Sequence, residues 1–267
     1  MEDKYNKLVD YIRGFGKVAV AFSGGVDSTL LLKAATDALG DKALAVTMLS
    51  SAFPVSEESE ANEFCENYNV RHITCRVNID DIPKFRDNDI NRCYHCKKYL
   101  FGKMCEIASQ NGFETLIEGS NIDDEADYRP GKKAINELGI ISPLREVGMT
   151  KHEIRDISAK LKLPTYNKPS YACLATRIPF GDKITKDKLN KIERAEELLH
   201  KLGFLQSRVR MHSNLARIEI MPDKFNEITK PDTIDCVTEG FKEIGFDYVS
   251  LDLNGYKMGS MNATINK

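Results

Sequence analysis

Three groups of residues have types and spacings suited to chemistry. The first is Ser23-Gly24-Gly25-Val26-Asp27-Ser28. Its glycines allow a tight turn that presents backbone N–H groups, and its serine hydroxyls add donors. A helix opening at Val26 would add the positive end of its dipole, so the loop reads as an anion cradle. Asp27 suits a divalent cation such as Mg²⁺ carried in with a phosphate chain; alone, it reads equally as a helix-start aspartate. No lysine follows the glycines, so neither the Walker pattern nor G-x-G-x-x-G is met and Walker-type transfer of a terminal phosphoryl group is disfavoured. The second group is cysteine. Cys93-Tyr94-His95-Cys96 is a C-x-x-C, open to a zinc half-site with His95, a redox pair, an iron–sulfur half-site or chance. Cys173 lies in an irregular stretch between Pro169 and Pro179, and the nearby Arg177 would favour its thiolate. The third group is Arg208 and Arg210, two apart on an expected strand and so on one face. Their fork-shaped groups suit a phosphate, and the alternative is a solvated strand face.

The elements that must position these groups come in two styles. Residues 18–22 form a continuous apolar run, as in a strand buried on both faces. Ser23-Gly24-Gly25 breaks it, and Val26, Leu30, Leu31, Ala34 and Ala38 recur at helical steps up to Gly40. Strands are expected at 43–48, 71–77 and 115–118, with helices at 56–68 and 96–111 between them. This alternation implies an α/β fold with a parallel sheet covered by helices. In it Thr47 and Met48 end a strand beside the glycine loop, where they could meet a base through backbone groups or be core residues. Thr150-Lys151-His152-Glu153 reads as a capping box opening a helix that stops before Pro164. Beyond it the pattern changes: a helix near 186–202, alternating strands at 207–212 and 216–221, helical stretches at 222–228 and 233–244, and a last strand at 248–253. That mixture suits a smaller α+β domain. The expected organisation is 1–165, a junction at 166–184 carrying Cys173, and 185–267.

Composition sets bounds. The 267 residues carry 38 Lys/Arg and 40 Asp/Glu, a net charge of −2, with 42% hydrophobic residues. That balance gives no global field toward nucleic acid or anionic membrane. The segment 182–201 has mixed charge and reads as an ordinary solvated helix rather than an RNA stripe. No apolar run approaches the ~20 residues that span a bilayer, and the charged N-terminus is unlike a secretory signal. A cytoplasmic location is expected, where thiols stay reduced. Cys65, Cys75, Cys105 and Cys236 fall within helix or strand patterns and read as packing thiols.

The S-G-G-V-D-S loop resembles the signature of the PP-loop ATP pyrophosphatases, in which the loop holds pyrophosphate while a substrate oxygen is adenylated. Further motifs follow in order: Glu118-Gly119-Ser120-Asn121-Ile122-Asp123-Asp124, Asp127-Tyr128-Arg129-Pro130-Gly131, Ala172-Cys173-Leu174-Ala175-Thr176-Arg177-Ile178-Pro179, Arg208-Val209-Arg210 and Ala216-Arg217-Ile218-Glu219. Together they resemble the LarE-type ATP-dependent sulfur transferases over about residues 15–255. The resemblance implies adenylation of a carboxylate of a pyridinium biscarboxylate mononucleotide, and then sulfur displacing AMP. It implies that Ser23, Gly24, Gly25, Asp27, Ser28, Thr47, Met48 and Asn121 meet ATP and Mg²⁺, and that Arg177, Arg208 and Arg210 meet the substrate phosphate. Two sulfur strategies exist in the family. One sacrifices the sulfur of a single cysteine matching Cys173; the other holds a 4Fe–4S cluster on three cysteines matching Cys93, Cys96 and Cys173. The presence of the C-x-x-C favours the second, with sulfide or another donor recharging the cluster, and homo-oligomers are expected. A PP-loop tRNA thiolase and a non-catalytic adenine-nucleotide sensor are the alternatives.

Overall fold

The computed structural model describes residues 2–54, 56–126, 130–169, 172–257 and 259–261. Asp127, Tyr128 and Arg129, singled out in the sequence, lie outside the described residues. The chain divides into two compact units. The first comprises residues 1–50, 55–83 and 91–171, and the second 51–54, 84–90 and 172–267.

In the first unit the order is α1 (Glu2–Arg13), β1 (Val18–Ala21), α2 (Val26–Leu39), β2 (Ala43–Leu49), α3 (Ser56–Asn67), β3 (Arg71–Arg76), α4 (Arg92–Gln110), β4 (Leu116–Ile117), α5 (Pro130–Glu137), α6 (Pro143–Glu146) and α7 (Lys151–Lys160). The four strands form a parallel sheet in the order β3-β2-β1-β4. β1 is central and buried throughout, which is why its sequence is unbroken Val-Ala-Val-Ala. Its ladder pairs Val18–Ala21 with Ala43, Leu44, Ala45 and Val46 of β2. The register puts the ends of β1 and β4 beside each other, with Val20 opposite Ile117. Leu30, Leu31, Ala34 and Ala35 of α2 and Leu8, Val9 and Ile12 of α1 join these strands in one apolar core. α1, α5 and α6 were not expected from the sequence, and α4 starts four residues before the expected Cys96. Cys93 and Cys96 therefore both lie on α4, at a spacing of three that gives them a common side.

In the second unit a 3-10 turn (Leu174–Arg177) precedes α8 (Lys186–Lys201), β5 (Ser207–His212), β6 (Leu215–Ile220), α9 (Phe225–Ile228), α10 (Pro231–Ile244) and β7 (Tyr248–Leu251). The sheet order is β5-β6-β7, antiparallel then parallel. Register divides β5 and β6 into two faces. Val209 and Met211 share one face with Ala216, Ile218 and Ile220, while Arg208, Arg210, Arg217 and Glu219 share the other. The expected half-exposed alternation in β5 is absent: Ser207 to Met211 are all buried. Carboxylate partners allow this, as shown below. No helix among the described residues is long and apolar enough to cross a membrane.

Candidate functional site

The glycine loop lies where β1 gives way to α2, at the carboxyl end of the parallel strands. Gly24 has φ +69°, a left-handed conformation that disfavours a side chain. The loop is braced from within. Ser23 Oγ and Ser28 Oγ are 3.0 Å apart, and the Ser28 hydroxyl donates to Gly25 O at 3.1 Å. The Gly24 carbonyl is held from outside by Lys168, whose Nζ lies 3.1 Å away and also pairs with Glu60 at 2.5 Å. Beside the loop lies a cavity of about 690 Å³, lined in part by Phe22, Gly24, Phe64, Tyr68 and Lys168. Glu57 sits nearby on α3; burial raises its carboxyl to about 7, opposed by the Lys168 charge.

Asp27 has both carboxylate oxygens engaged. One carboxylate oxygen accepts from Asn121 Nδ2 at 3.2 Å, and the other pairs with Lys151 Nζ. Lys151 is the first residue of α7, and its own amide donates to Asp123 Oδ2 at 2.7 Å. Asp123 N donates in turn to Asn121 Oδ1 at 3.0 Å, closing a ring of four residues from three segments. The capping box fixes α7: Glu153 N donates to Thr150 Oγ1 at 3.3 Å and Thr150 N donates to Glu153 Oε2 at 2.9 Å. Close packing completes the arrangement. A Cβ on Gly119 would stand 3.1 Å from Ser28 N and 3.3 Å from Asp27 Cβ, so a side chain there presses on the loop. The preceding Glu118 is buried and accepts from Ser120 Oγ at 2.8 Å and from the Ser142 hydroxyl. Thr47 and Met48 are buried; the Thr47 hydroxyl is spent on Phe22 O at 2.7 Å and His72 Nε2 at 2.8 Å. Only their backbone is left to meet a ligand.

In the second unit the arginines are buried rather than solvated, which overturns the surface-strand alternative. Arg177 and Glu196 have side chains 1% and 6% exposed and form a fork-to-fork pair: Nε to Oε1 and Nη2 to Oε2, each at 2.9 Å. Arg177 Nη1 donates to Ala172 O at 2.7 Å and to Cys173 O at 3.2 Å. All three of its nitrogens are thus engaged by the protein, and the guanidinium anchors the backbone of the Cys173 loop. Glu196, read from sequence as part of a solvated helix, is instead the internal counter-ion. Arg210 Nη2 donates to Glu219 at 2.7 Å, and its buried Nε has no hydrogen-bond partner among the described residues. Arg208 lies with its guanidinium 5.3 Å from the Tyr256 ring centre; burial first, then the Arg177 charge, lowers its pKa.

The remaining cysteines follow expectation only in part. Cys65 is buried and Cys75 and Cys105 are half-buried, but Cys236 is exposed. Cys93 is exposed with Arg92 Nη2 3.8 Å from its sulfur, and Cys96 is buried. They stand one turn apart on α4, while Cys173 belongs to the second unit. Among the described residues no group of three or more His, Cys, Asp or Glu side chains is placed to hold a metal ion. Sequence reasoning missed Lys151, Lys168 and Glu118. The capping box did mark Lys151 as a helix start, yet nothing local tied it to a loop 124 residues earlier.

A parallel-sheet strand, an S-G-G-V-D-S loop and a helix opening on its aspartate define a PP-loop protein that binds ATP. The PP-loop domain family matches residues 1–128. The chain is 38% identical over 267 residues, the full length of both, to an uncharacterised protein of Synechocystis sp.. It is 36% identical over 263 residues, 97% of this chain and 94% of the other, to the pyridinium-3,5-bisthiocarboxylic acid mononucleotide synthase of Lactiplantibacillus plantarum. An uncharacterised protein of Methanocaldococcus jannaschii is 31% identical over 241 residues, 90% of this chain and 91% of the other. Within the PP-loop class, the chain belongs to the family of LarE-type ATP-dependent sulfur transferases.

Proposed function

We propose that this enzyme adenylates a carboxylate of pyridinium-3,5-biscarboxylic acid mononucleotide and replaces the AMP by sulfur, giving the thiocarboxylate of a nickel-pincer cofactor. The observation that carries the reading is Asp27, set at the head of α2 and held by Asn121 and Lys151 beside a lysine-free glycine loop. The substrate carboxylate oxygen attacks the α-phosphorus, and the bond to the β-phosphate breaks with its electron pair leaving on pyrophosphate. A sulfur nucleophile then attacks the acyl carbon, and AMP departs with the oxygen. The backbone N–H groups of the loop and the helix N-terminus receive the phosphates. Asp27 would hold a Mg²⁺ that would neutralise the leaving pyrophosphate. Arg208 and Arg210 bind the mononucleotide phosphate, while Arg177, its donors occupied, holds the Cys173 loop in place.

Cys93, Cys96 and Cys173 would, in this reading, hold a 4Fe–4S cluster that would supply the sulfur. Three thiolates would leave one iron without a protein ligand for an exchangeable sulfide. The support is the match of all three cysteines to the cluster-bearing branch and the one-turn spacing of Cys93 and Cys96 on α4. We take 1–165 as the ATP domain, 166–184 as the junction and 185–267 as the substrate and oligomerisation domain of a cytoplasmic homo-oligomer. Two measurements test the chemistry. Mononucleotide-dependent release of pyrophosphate supports the adenylation, and ADP as the main product overturns it. Iron analysis of anaerobically prepared protein, with intact mass before and after reaction, tests the sulfur route. An iron-free active protein whose Cys173 loses one hydrogen sulfide replaces the cluster by a sacrificial cysteine.

A further inference from the structure

We propose that Asn88 is a positioning residue for Cys173: it fixes the segment that carries the cysteine, and it serves the sulfur step rather than adenylation. The inference rests on the reading that sulfur passes through Cys173, and it holds for a cluster and for a sacrificial cysteine alike. Four observations lead to it. First, two short stretches that interrupt the first unit in sequence, 51–54 and 84–90, belong to the second unit together with 172–267. Both bind the Cys173 segment. Leu174 N donates to Ala52 O at 2.9 Å, Gly181 N to Asn88 O at 3.0 Å and Ile184 N to Arg86 O at 3.0 Å. Second, Asn88 is fully buried, and its amide nitrogen meets three carbonyls: Pro179 O at 2.7 Å, Asp182 O at 2.9 Å and Ile178 O at 3.4 Å. A side chain with two N–H donors suits that place, whereas a carboxylate would oppose three carbonyl oxygens and a hydroxyl has a single proton. Third, Asn88 has φ +53°, in the left-handed region that Asn tolerates better than most residues with a side chain. Its carbonyl and its side chain can thereby both bond within 178–182. Fourth, the segment has little regular structure of its own: from Cys173 to α8 it consists of the 3-10 turn Leu174–Arg177 and irregular chain. Arg177 holds the carbonyls at the cysteine's end of that turn, and Asn88 holds the chain beyond the other end.

Asn88 stands five residues before Cys93, so the peptide that leads into the C-x-x-C is also the one that fixes the Cys173 segment. Placement matters here because a reacting group displaced by about 1 Å can lose about 100-fold in rate. The groups assigned to adenylation, the loop 23–28 with Asn121, belong to the first unit. Loosening the Cys173 segment should therefore spare that half-reaction.

The test uses the full-length protein and its Asn88→Gly variant, which keeps the left-handed backbone and removes the amide. Three readouts apply. They are ATP–pyrophosphate isotope exchange with the mononucleotide, the rate of thiocarboxylate formation, and alkylation of Cys173 by iodoacetamide in chelator-treated protein. The last is read by peptide mass spectrometry against the exposed Cys236. Exchange should stay within about threefold of wild type while sulfur transfer falls about 100-fold. Cys173 should alkylate about tenfold faster relative to Cys236, because its segment opens more often. A parallel loss of exchange and transfer makes Asn88 a fold contact only and overturns the proposal. So does wild-type transfer, or an unchanged alkylation ratio. Should the wild-type protein transfer no sulfur, the Cys173 reading fails by itself, and the alkylation ratio still decides whether Asn88 holds the segment.

Discussion

Removing the Arg177 guanidinium should cost the second unit more than any surface change. Arg177→Met leaves Glu196 buried with the Val209 amide, 2.9 Å away, as its remaining main-chain donor. It also strips the Ala172 and Cys173 carbonyls of their shared donor. Breaking a buried pair from one side typically costs about 3–5 kcal/mol; the Cys173 carbonyl keeps its bonds from the Thr176 amide and hydroxyl, so the cost comes chiefly from the uncompensated Glu196. Glu196→Leu should cost a similar amount, since Arg177 then loses two hydrogen bonds in the interior. The double variant leaves no buried charge of this pair. It should be less destabilised than the sum of the singles by at least about 2 kcal/mol. The pH dependence has a definite sign. Burial alone raises the Glu196 carboxyl, but the Arg177 charge and hydrogen bonds, with Arg208 behind them, outweigh it and hold the group below its usual range. A depressed carboxylate contributes stability that is present above the ordinary glutamate pKa and lost as pH falls toward the folded value. Wild type should therefore weaken through the acid range, and Arg177→Met should show a flatter profile. Urea unfolding of each variant, followed by circular dichroism across pH, measures all of this. Additive single effects, or a loss below about 1 kcal/mol for Arg177→Met, would refute the reasoning.

Three further outcomes follow from the first unit. Asp27→Asn should abolish pyrophosphate release while leaving the thermal midpoint close to wild type, because Asn121 can still bond to the new side chain; turnover within tenfold of wild type contradicts the assignment. Gly119→Ala should raise the KM for ATP about tenfold, since its methyl group would stand 3.1 Å from Ser28 N and displace the loop. An unchanged KM would mean that the loop position does not set nucleotide binding. Glu57 carries a raised carboxyl of about 7, so its charge is buried at a cost that appears as pH rises from the ordinary glutamate range through that value. Glu57→Gln should therefore be more stable than wild type by up to about 2 kcal/mol at pH 8 and nearly equal to it at pH 4, read by denaturant titration at the two pH values.

Much of the first unit was legible because one physical signal served several purposes. An apolar run of five residues stopped by Ser-Gly-Gly suits a doubly covered strand better than a helix, and Gly24 at φ +69° is the break its sequence announces. The Thr150–Glu153 box formed as read. Other elements hid behind weak signals. α1 has only Leu8, Val9 and Ile12 to bury among charged residues. The first turn of α4, Arg92-Cys93-Tyr94-His95, is short of strong helix formers, so the helix was read as starting at Cys96. In the second unit, the strand arginines read as a phosphate site, with a solvated face as the alternative, and neither reading showed their internal partners. Their arginines are buried because Glu196 and Glu219 come from other elements, and pairing across sequence leaves no local pattern. Lys151 is the same lesson at the active loop. Its spacing in α7 gives a helix start, and only the fold brings its amine to Asp27.

The central claim is that ATP is spent on activating a carboxylate for sulfur. The most direct measurement is an anaerobic reaction of the full-length protein with ATP, Mg²⁺, sulfide and pyridinium-3,5-biscarboxylic acid mononucleotide, analysed by mass spectrometry of the nucleotide pool. The account predicts AMP and pyrophosphate in step with a mononucleotide whose mass has changed by one oxygen-to-sulfur exchange, and none of these products from the Asp27→Asn variant. ADP and phosphate, or an unaltered mononucleotide beside consumed ATP, would contradict it.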